Sequence, residues 1–205
     1  MAIPQFSKIE VPYQKVLARL GFAHGKTALD TRSEESIREA IALSKKLIVP
    51  QRVIASSPIA FPEPGTTQLE PSFTIASVKI YELLKSCREA YGFAVTIGPH
   101  LEEKRNMFIA QKETNRGLIL DAVGSVIAEE LADLTQQEIR QSAQTRGEDA
   151  TMRFSPGYGD WILAGQPAFL AWLGAESIGI KLTPSYQMIP EKSVSAIFGI
   201  YKKSS

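Results

Sequence analysis

The run Arg153-Phe154-Ser155-Pro156-Gly157-Tyr158 sets three different chemistries side by side. Arg153 offers a planar fork of N–H donors that fits a carboxylate bidentately. Pro156 and Gly157 force a turn, and Gly157, having no side chain, lets the backbone approach a ligand closely. Tyr158 adds a ring face and a hydroxyl. Together they suit a ligand with a carboxylate, an aromatic base and a polar sugar. An arginine–carboxylate contact contributes roughly 1.5–3 kcal/mol, so its loss costs about tenfold or more in affinity. The same residues also describe a tight surface turn whose Tyr158 and Trp161 pack on the core.

Other common chemistries find no support in the chain. No Gly-x-Gly-x-x-Gly follows a strand, and neither a Walker loop nor a nucleophile elbow occurs. His24 and His100 lie far apart without ligand-like neighbours. Cys87 is the single cysteine, which excludes an internal disulfide and a Cys-rich metal site; it falls on the apolar side of a predicted helix, packed and inert. The 23 basic and 22 acidic residues leave a net charge of +1, which supplies no field for nucleic acid or an anionic membrane. Apolar residues make up 44% and charged residues 22% of the 205 positions, enough for a packed core. No stretch reaches the roughly 18 apolar residues of a membrane span, and the N-terminus has no signal-peptide pattern. These features lead us to expect a cytoplasmic protein with neither nucleic acid nor membrane as partner.

The elements that must position the turn follow from periodicity. Helical spacing marks Pro12 to Leu20, and again from the caps Asp30-Thr31 through Ile37, Ile41 and Leu47 to a stop at Pro50. A short strand is predicted over Gln51 to Ser56. Pro58 to Pro71 reads as a loop or an edge hairpin. A helix is predicted over Ser77 to Ala90, and Phe93 to Gly98, apolar on both faces, as a central buried strand. A long helix covers Gly117 to Thr145, with Leu118, Ala122, Ile127 and Leu131 along one side. Asp149 to Trp161 breaks the period, and a short helix follows from Pro167 to Leu173. The chain ends in two predicted strands, Lys181 to Met188 and Ser193 to Tyr201, joined through Pro190-Glu191-Lys192. The class is α+β, a twisted antiparallel sheet flanked by helices. The length predicts one domain over 1–205, with a helical part over 1–90 and the sheet and binding part over 91–205.

Several of these segments together resemble the activation domain of cobalamin-dependent methionine synthase. Arg153, Gly157 and Tyr158 supply the family's Arg-x-x-x-Gly-Tyr signature in register. Gly179-Ile180-Lys181-Leu182-Thr183-Pro184-Ser185 is similar to its Leu-Thr-x-Ser strand. Met188-Ile189-Pro190-Glu191-Lys192-Ser193-Val194-Ser195 is similar to its Met-x-Pro-x-x-Ser-Val-Ser hairpin. Ala94 to Gly98 resembles its central strand, and Leu120 to Ser125 with Ala128-Glu129 its long helix. Where multi-domain synthases carry a Pro-rich stretch ending in Glu-His, this chain has Gly159-Asp160-Trp161-Ile162-Leu163, which looks like free-standing forms of the domain. The similarity is specific over the last fifty positions and weak before residue 90.

The resemblance implies an S-adenosylmethionine-binding subunit that supports reductive remethylation of cob(II)alamin. The cobalamin would be carried by a separate methionine synthase subunit, because no Asp-x-His-x-x-Gly motif occurs here. A flavodoxin or ferredoxin-type protein would donate the electron. By the same resemblance Arg153 holds the methionine carboxylate, backbone from Ser155 through Pro156 to Gly157 lines the groove, and Tyr158 contacts the adenosine. Glu129 offsets the ligand's positive charge, with Glu10 and Glu148 as weaker candidates. Phe198 stands where the large enzymes tend to carry Tyr, so a hydroxyl contact is lost there. No general acid or base is required. The alternatives are a docking module that delivers no methyl group, or an activator for another corrinoid methyltransferase system.

Overall fold

A computed structural model describes residues 10–22 and 30–203. Its chain order is α1 (Tyr13–Arg19), α2 (Thr31–Leu47), β1 (Gln51–Ala60), β2 (Thr66–Leu69), β3 (Phe73–Ala76), α3 (Val78–Leu84), β4 (Glu89–Thr96), α4 (His100–Ala110), α5 (Thr114–Gln144), β5 (Glu148–Ala150), α6 (Gln166–Leu173), β6 (Lys181–Leu182), β7 (Met188–Ile189) and β8 (Ser193–Lys202). Six strands form one antiparallel sheet in the order β3-β2-β1-β4-β8-β5. The α+β class and the long helix are as the sequence predicts.

β4 is central because its side chains satisfy both faces of the sheet. Phe93 and Val95 join Ala196, Phe198 and Ile200 of β8 beneath α1, α2, α4 and α5. Ala90 and Ala94 face the other way, with Ile197, toward α3 and α6. On that second face Trp161, Phe169, Trp172 and Phe73 form a chain of ring contacts with centroids 5.1–6.0 Å apart.

The 31-residue α5 carries Leu120, Ile127, Leu131 and Thr135 down its buried side at helical spacing. Gly124 lets α4 cross it closely, since a Cβ there would come within 2.6 Å of Leu101. α2 begins where the Asp30 carboxylate accepts the Ser33 N–H at 2.7 Å, a cap of the kind its sequence predicts.

Three expectations are corrected and one alternative is decided. Residues 1–90 are not simply helical, because β1 to β3 supply half of the main sheet. Of the two readings of Pro58 to Pro71 the hairpin holds, with β1 running on to Ala60 and pairing with β2. The helix from Ser77 stops at Leu84, and the chain from Glu89 pairs instead with Pro58 of β1 and Ile200 of β8. Lys181 to Met188 is not one strand paired with Ser193 to Tyr201. It folds back on itself as β6 and β7, because Pro184 has no N–H for a ladder, Tyr186 sits at φ +65°, and the Thr183 N–H closes the turn on the Gln187 carbonyl at 2.9 Å. His24 lies outside the described residues. Among the described residues no helix is long and apolar enough to cross a membrane.

Candidate functional site

The turn that carries Arg153 is fixed from both sides. Phe154 exchanges two backbone hydrogen bonds with Ile197 of β8, each 2.8 Å, so the residues after β5 continue along the sheet edge. Beyond Phe154 the chain reverses tightly. The Tyr158 N–H meets the Ser155 carbonyl at 3.3 Å, and the Gly157 N–H meets the Trp161 carbonyl at 2.7 Å. Gly157 stands at φ +92°, a conformation side chains strain to adopt, with Leu163 directly against it. Pro156 is buried and Ser155 is half-buried.

The two aromatic residues of this turn part company. Trp161 is 4% exposed and packs edge-on against Phe169, whereas Tyr158 projects outward at 68% exposure. Core packing accounts for Trp161 alone; it leaves the Tyr158 ring and hydroxyl open to a ligand. Asp160 anchors the segment to the N-terminal half of the chain. Its carboxylate accepts from the Ser77 hydroxyl at 2.6 Å and from the backbone N–H of Val78 at 2.7 Å and Lys79 at 3.3 Å. The Ser77 hydrogen bond, with those backbone bonds, holds the Asp160 carboxyl below its usual range.

Arg153 reaches from the edge strand to α5. One terminal nitrogen bonds Glu129 at 2.8 Å and the other pairs with Asp133, one helical turn further along. Glu129 lines a groove of about 700 Å³ walled by Ser125 of α5, Leu163, Gln166 of α6, Met188 of β7 and Lys192. Asp133 lines a second concavity of about 640 Å³ beside Gln136, Arg140, Thr151 and Met152. The Arg153 guanidinium therefore bridges two acids, one from the lining of each hollow.

Polar groups also fix the floor of the larger groove. The Lys192 ammonium lies 3.0 Å from the Ser125 hydroxyl and 2.8 Å from Asp121, and its backbone N–H donates to Glu102 at 2.8 Å. Arg105 bonds Asp121 at 2.7 Å and Glu191 at 2.6 Å. Gln166 is buried and donates to the Tyr186 carbonyl at 2.6 Å, which holds the β6–β7 hairpin over the groove.

Of the residues singled out from sequence, the fold thus gathers Arg153, Ser155, Pro156, Gly157, Tyr158 and Glu129 into one region. Glu148 is drawn elsewhere, into ion pairs with Arg88 and Arg146 at 3.0 Å each. Glu10 is exposed at the start of the described residues. Phe198 is fully buried and stacks on Tyr91, so it faces the core beneath α5. Cys87 lies just past the end of α3, where burial pushes its thiol above the ordinary range. Sequence reasoning missed Asp133, Asp160 and Lys15. For Asp133 a signal existed, the i, i+4 spacing from Glu129 that puts both acids on one helix face.

A twisted antiparallel sheet backed by a long helix, with an Arg-x-x-x-Gly-Tyr turn at its edge, defines an activation-type domain. The family model of the vitamin B12 dependent methionine synthase activation domain matches residues 82–205, and the chain belongs to that family. Its fold is similar to that of a MetH reactivation domain whose crystal structure holds AdoHcy. The likeness has a TM-score of 0.70 at 14% identity and covers 94% of this chain and 76% of that one. No curated protein matches the chain by sequence.

Proposed function

We propose that the chain is a stand-alone activation subunit that binds S-adenosylmethionine at the Arg153 turn. The ligand would supply a methyl group to cobalamin carried by a separate methionine synthase subunit, in the cytoplasm, with a flavodoxin or ferredoxin-type protein providing the electron. The observation that carries this reading is the placement of Arg153. Its guanidinium bonds Glu129, which lines a groove large enough for a nucleoside, and Arg153 leads directly into the Gly157 turn with its exposed Tyr158. Family membership and the AdoHcy held by a structurally similar domain agree with it.

The chain's own residues do the binding and orienting. Arg153 takes the ligand carboxylate, the Ser155–Gly157 backbone lies along the ligand, and Tyr158 contacts the adenosine ring. Presenting a methyl group to a cobalt atom held elsewhere is a matter of position, so the value of the site lies in a fixed ligand pose. Isothermal titration of the folded chain with S-adenosylmethionine tests this. Saturable binding weakened at least tenfold by Arg153→Ala supports it; a folded chain that produces no binding heat sinks it and leaves the docking-module reading.

A further inference from the structure

Arg153 is already engaged at both terminal nitrogens. Its two terminal nitrogens are taken by Glu129 and Asp133, and the Lys15 ammonium of α1 pairs with Glu130 and lies 3.5 Å from Asp133. A ligand that brings only a carboxylate must strip an acid from Arg153 and leave that acid without its guanidinium partner. A ligand that also brings positive charge can exchange partners instead, its carboxylate going to Arg153 and its cations to the released acids. Arg153 holds two acids, so a ligand must carry two cationic centres to replace the guanidinium at both of them. Lys192 and Glu191, on the same groove, are committed to Asp121 and Arg105. Arg19 stands on the groove wall outside this set of contacts.

Resting on the reading that this turn binds S-adenosylmethionine, we propose that Asp133 is a specificity-determining residue that reads the ligand's second positive charge. Ammonium and sulfonium together match the two acids that Arg153 releases. The demethylated thioether, S-adenosylhomocysteine, has only the ammonium and leaves one acid without a replacement for Arg153. The site therefore holds the methyl donor more tightly than the product it leaves behind, which favours exchange of spent for fresh ligand. Lys15 moderates the effect, because it stabilises Asp133 when no ligand cation is present.

The test is titration calorimetry of the full chain with S-adenosylmethionine, with sinefungin, whose amine replaces the sulfonium, and with S-adenosylhomocysteine. The preference of wild-type chain for the two doubly cationic ligands should fall about three- to fivefold in Asp133→Asn, the size expected for a half-exposed ion pair. Lys15→Ala should move the preference the opposite way, which keeps the test decisive if Asp133→Asn fails to fold. An unchanged preference in folded variants that still bind S-adenosylmethionine overturns the role of Asp133 alone. A wild-type chain that binds none of the three ligands overturns this inference together with the reading beneath it.

Discussion

Asp160 and Ser77 are 83 positions apart in sequence and share a 2.6 Å hydrogen bond. Ser77 is the N-cap of α3, and its hydroxyl also accepts the Ile80 N–H at 3.1 Å. Asp160 adds its second oxygen to the first backbone N–H groups of the same helix. The carboxylate thus completes a helix N-terminus, where negative charge is favoured, and it ties the Arg153 turn to the strands of the N-terminal half. The Gly-Asp-Trp segment works as a clamp, with Asp160 on α3 and Trp161 in the core. Asp160→Ala should lower the thermal midpoint and weaken S-adenosylmethionine binding together. A variant with lowered midpoint and unchanged affinity would show that the clamp stabilises the fold without shaping the turn.

Gly157 tests the turn from within. At φ +92° an alanine is strained, and its Cβ would lie 3.3 Å from Leu163 Cδ1, a residue of the groove wall. The left-handed conformation alone costs about 1–2 kcal/mol for a residue with a Cβ. Gly157→Ala should therefore destabilise the chain by about that amount in urea unfolding and shift Leu163 into the groove, weakening ligand binding. Wild-type stability and affinity in this variant would mean that the backbone here relaxes freely.

How far the sequence foretold these features depends on what each one rests on. α5 was legible because its buried positions recur at helical spacing through Leu120, Ile127 and Leu131. The central position of β4 was legible because the run from Phe93 is apolar on both faces. α4 was not, because Met107 and Ile109 are half-exposed apolar residues that blur the pattern set by buried Leu101 and Phe108. The short β6–β7 hairpin depends on a turn at Tyr186 that no glycine announces. Arg153, Gly157 and Tyr158 stood out by type and spacing, whereas the partners of Arg153 emerged only when the sheet edge met α5. The role of Asp160 was not legible, because it depends on the fold laying the segment on the start of α3.

Gly92 marks where α6 presses hardest on the sheet. A Cβ there would come within 2.5 Å of Trp172, 3.0 Å of Phe169 and 3.1 Å of Leu173. All three belong to the packed second face, where no flexible side-chain end can swing aside. Overpacking of this kind costs about 1–3 kcal/mol. Gly92→Ala should lower the unfolding free energy by that amount and also weaken ligand binding, because Gly92 pairs with Ile197, the partner of Phe154, and Phe169 packs on Trp161 of the Arg153 turn. Thermal unfolding checks the first expectation, and ligand affinity at low temperature checks the second, unchanged affinity showing that the strain stays within α6.

Asp121 contributes to the acid limb of the stability profile. Burial alone would push its carboxyl upward, but hydrogen bonds from Lys192 and Arg105 outweigh that and hold it below the ordinary value of 3.8. A carboxylate whose folded value is depressed contributes stability above its unfolded value and loses it as the pH falls through the folded one. Glu191, lowered chiefly by its hydrogen bond from Arg105, acts in the same direction within the same network. Wild-type stability should therefore hold down to about pH 5 and drop steeply below about pH 4. Asp121→Asn keeps the side chain's shape but removes its charge from between two cations. It should start less stable at neutral pH and show a flatter decline through the acid range, because its carboxamide has no proton to gain. Urea unfolding of both proteins at stepped pH values measures this, and parallel curves would mean that Asp121 keeps the same proton affinity folded and unfolded.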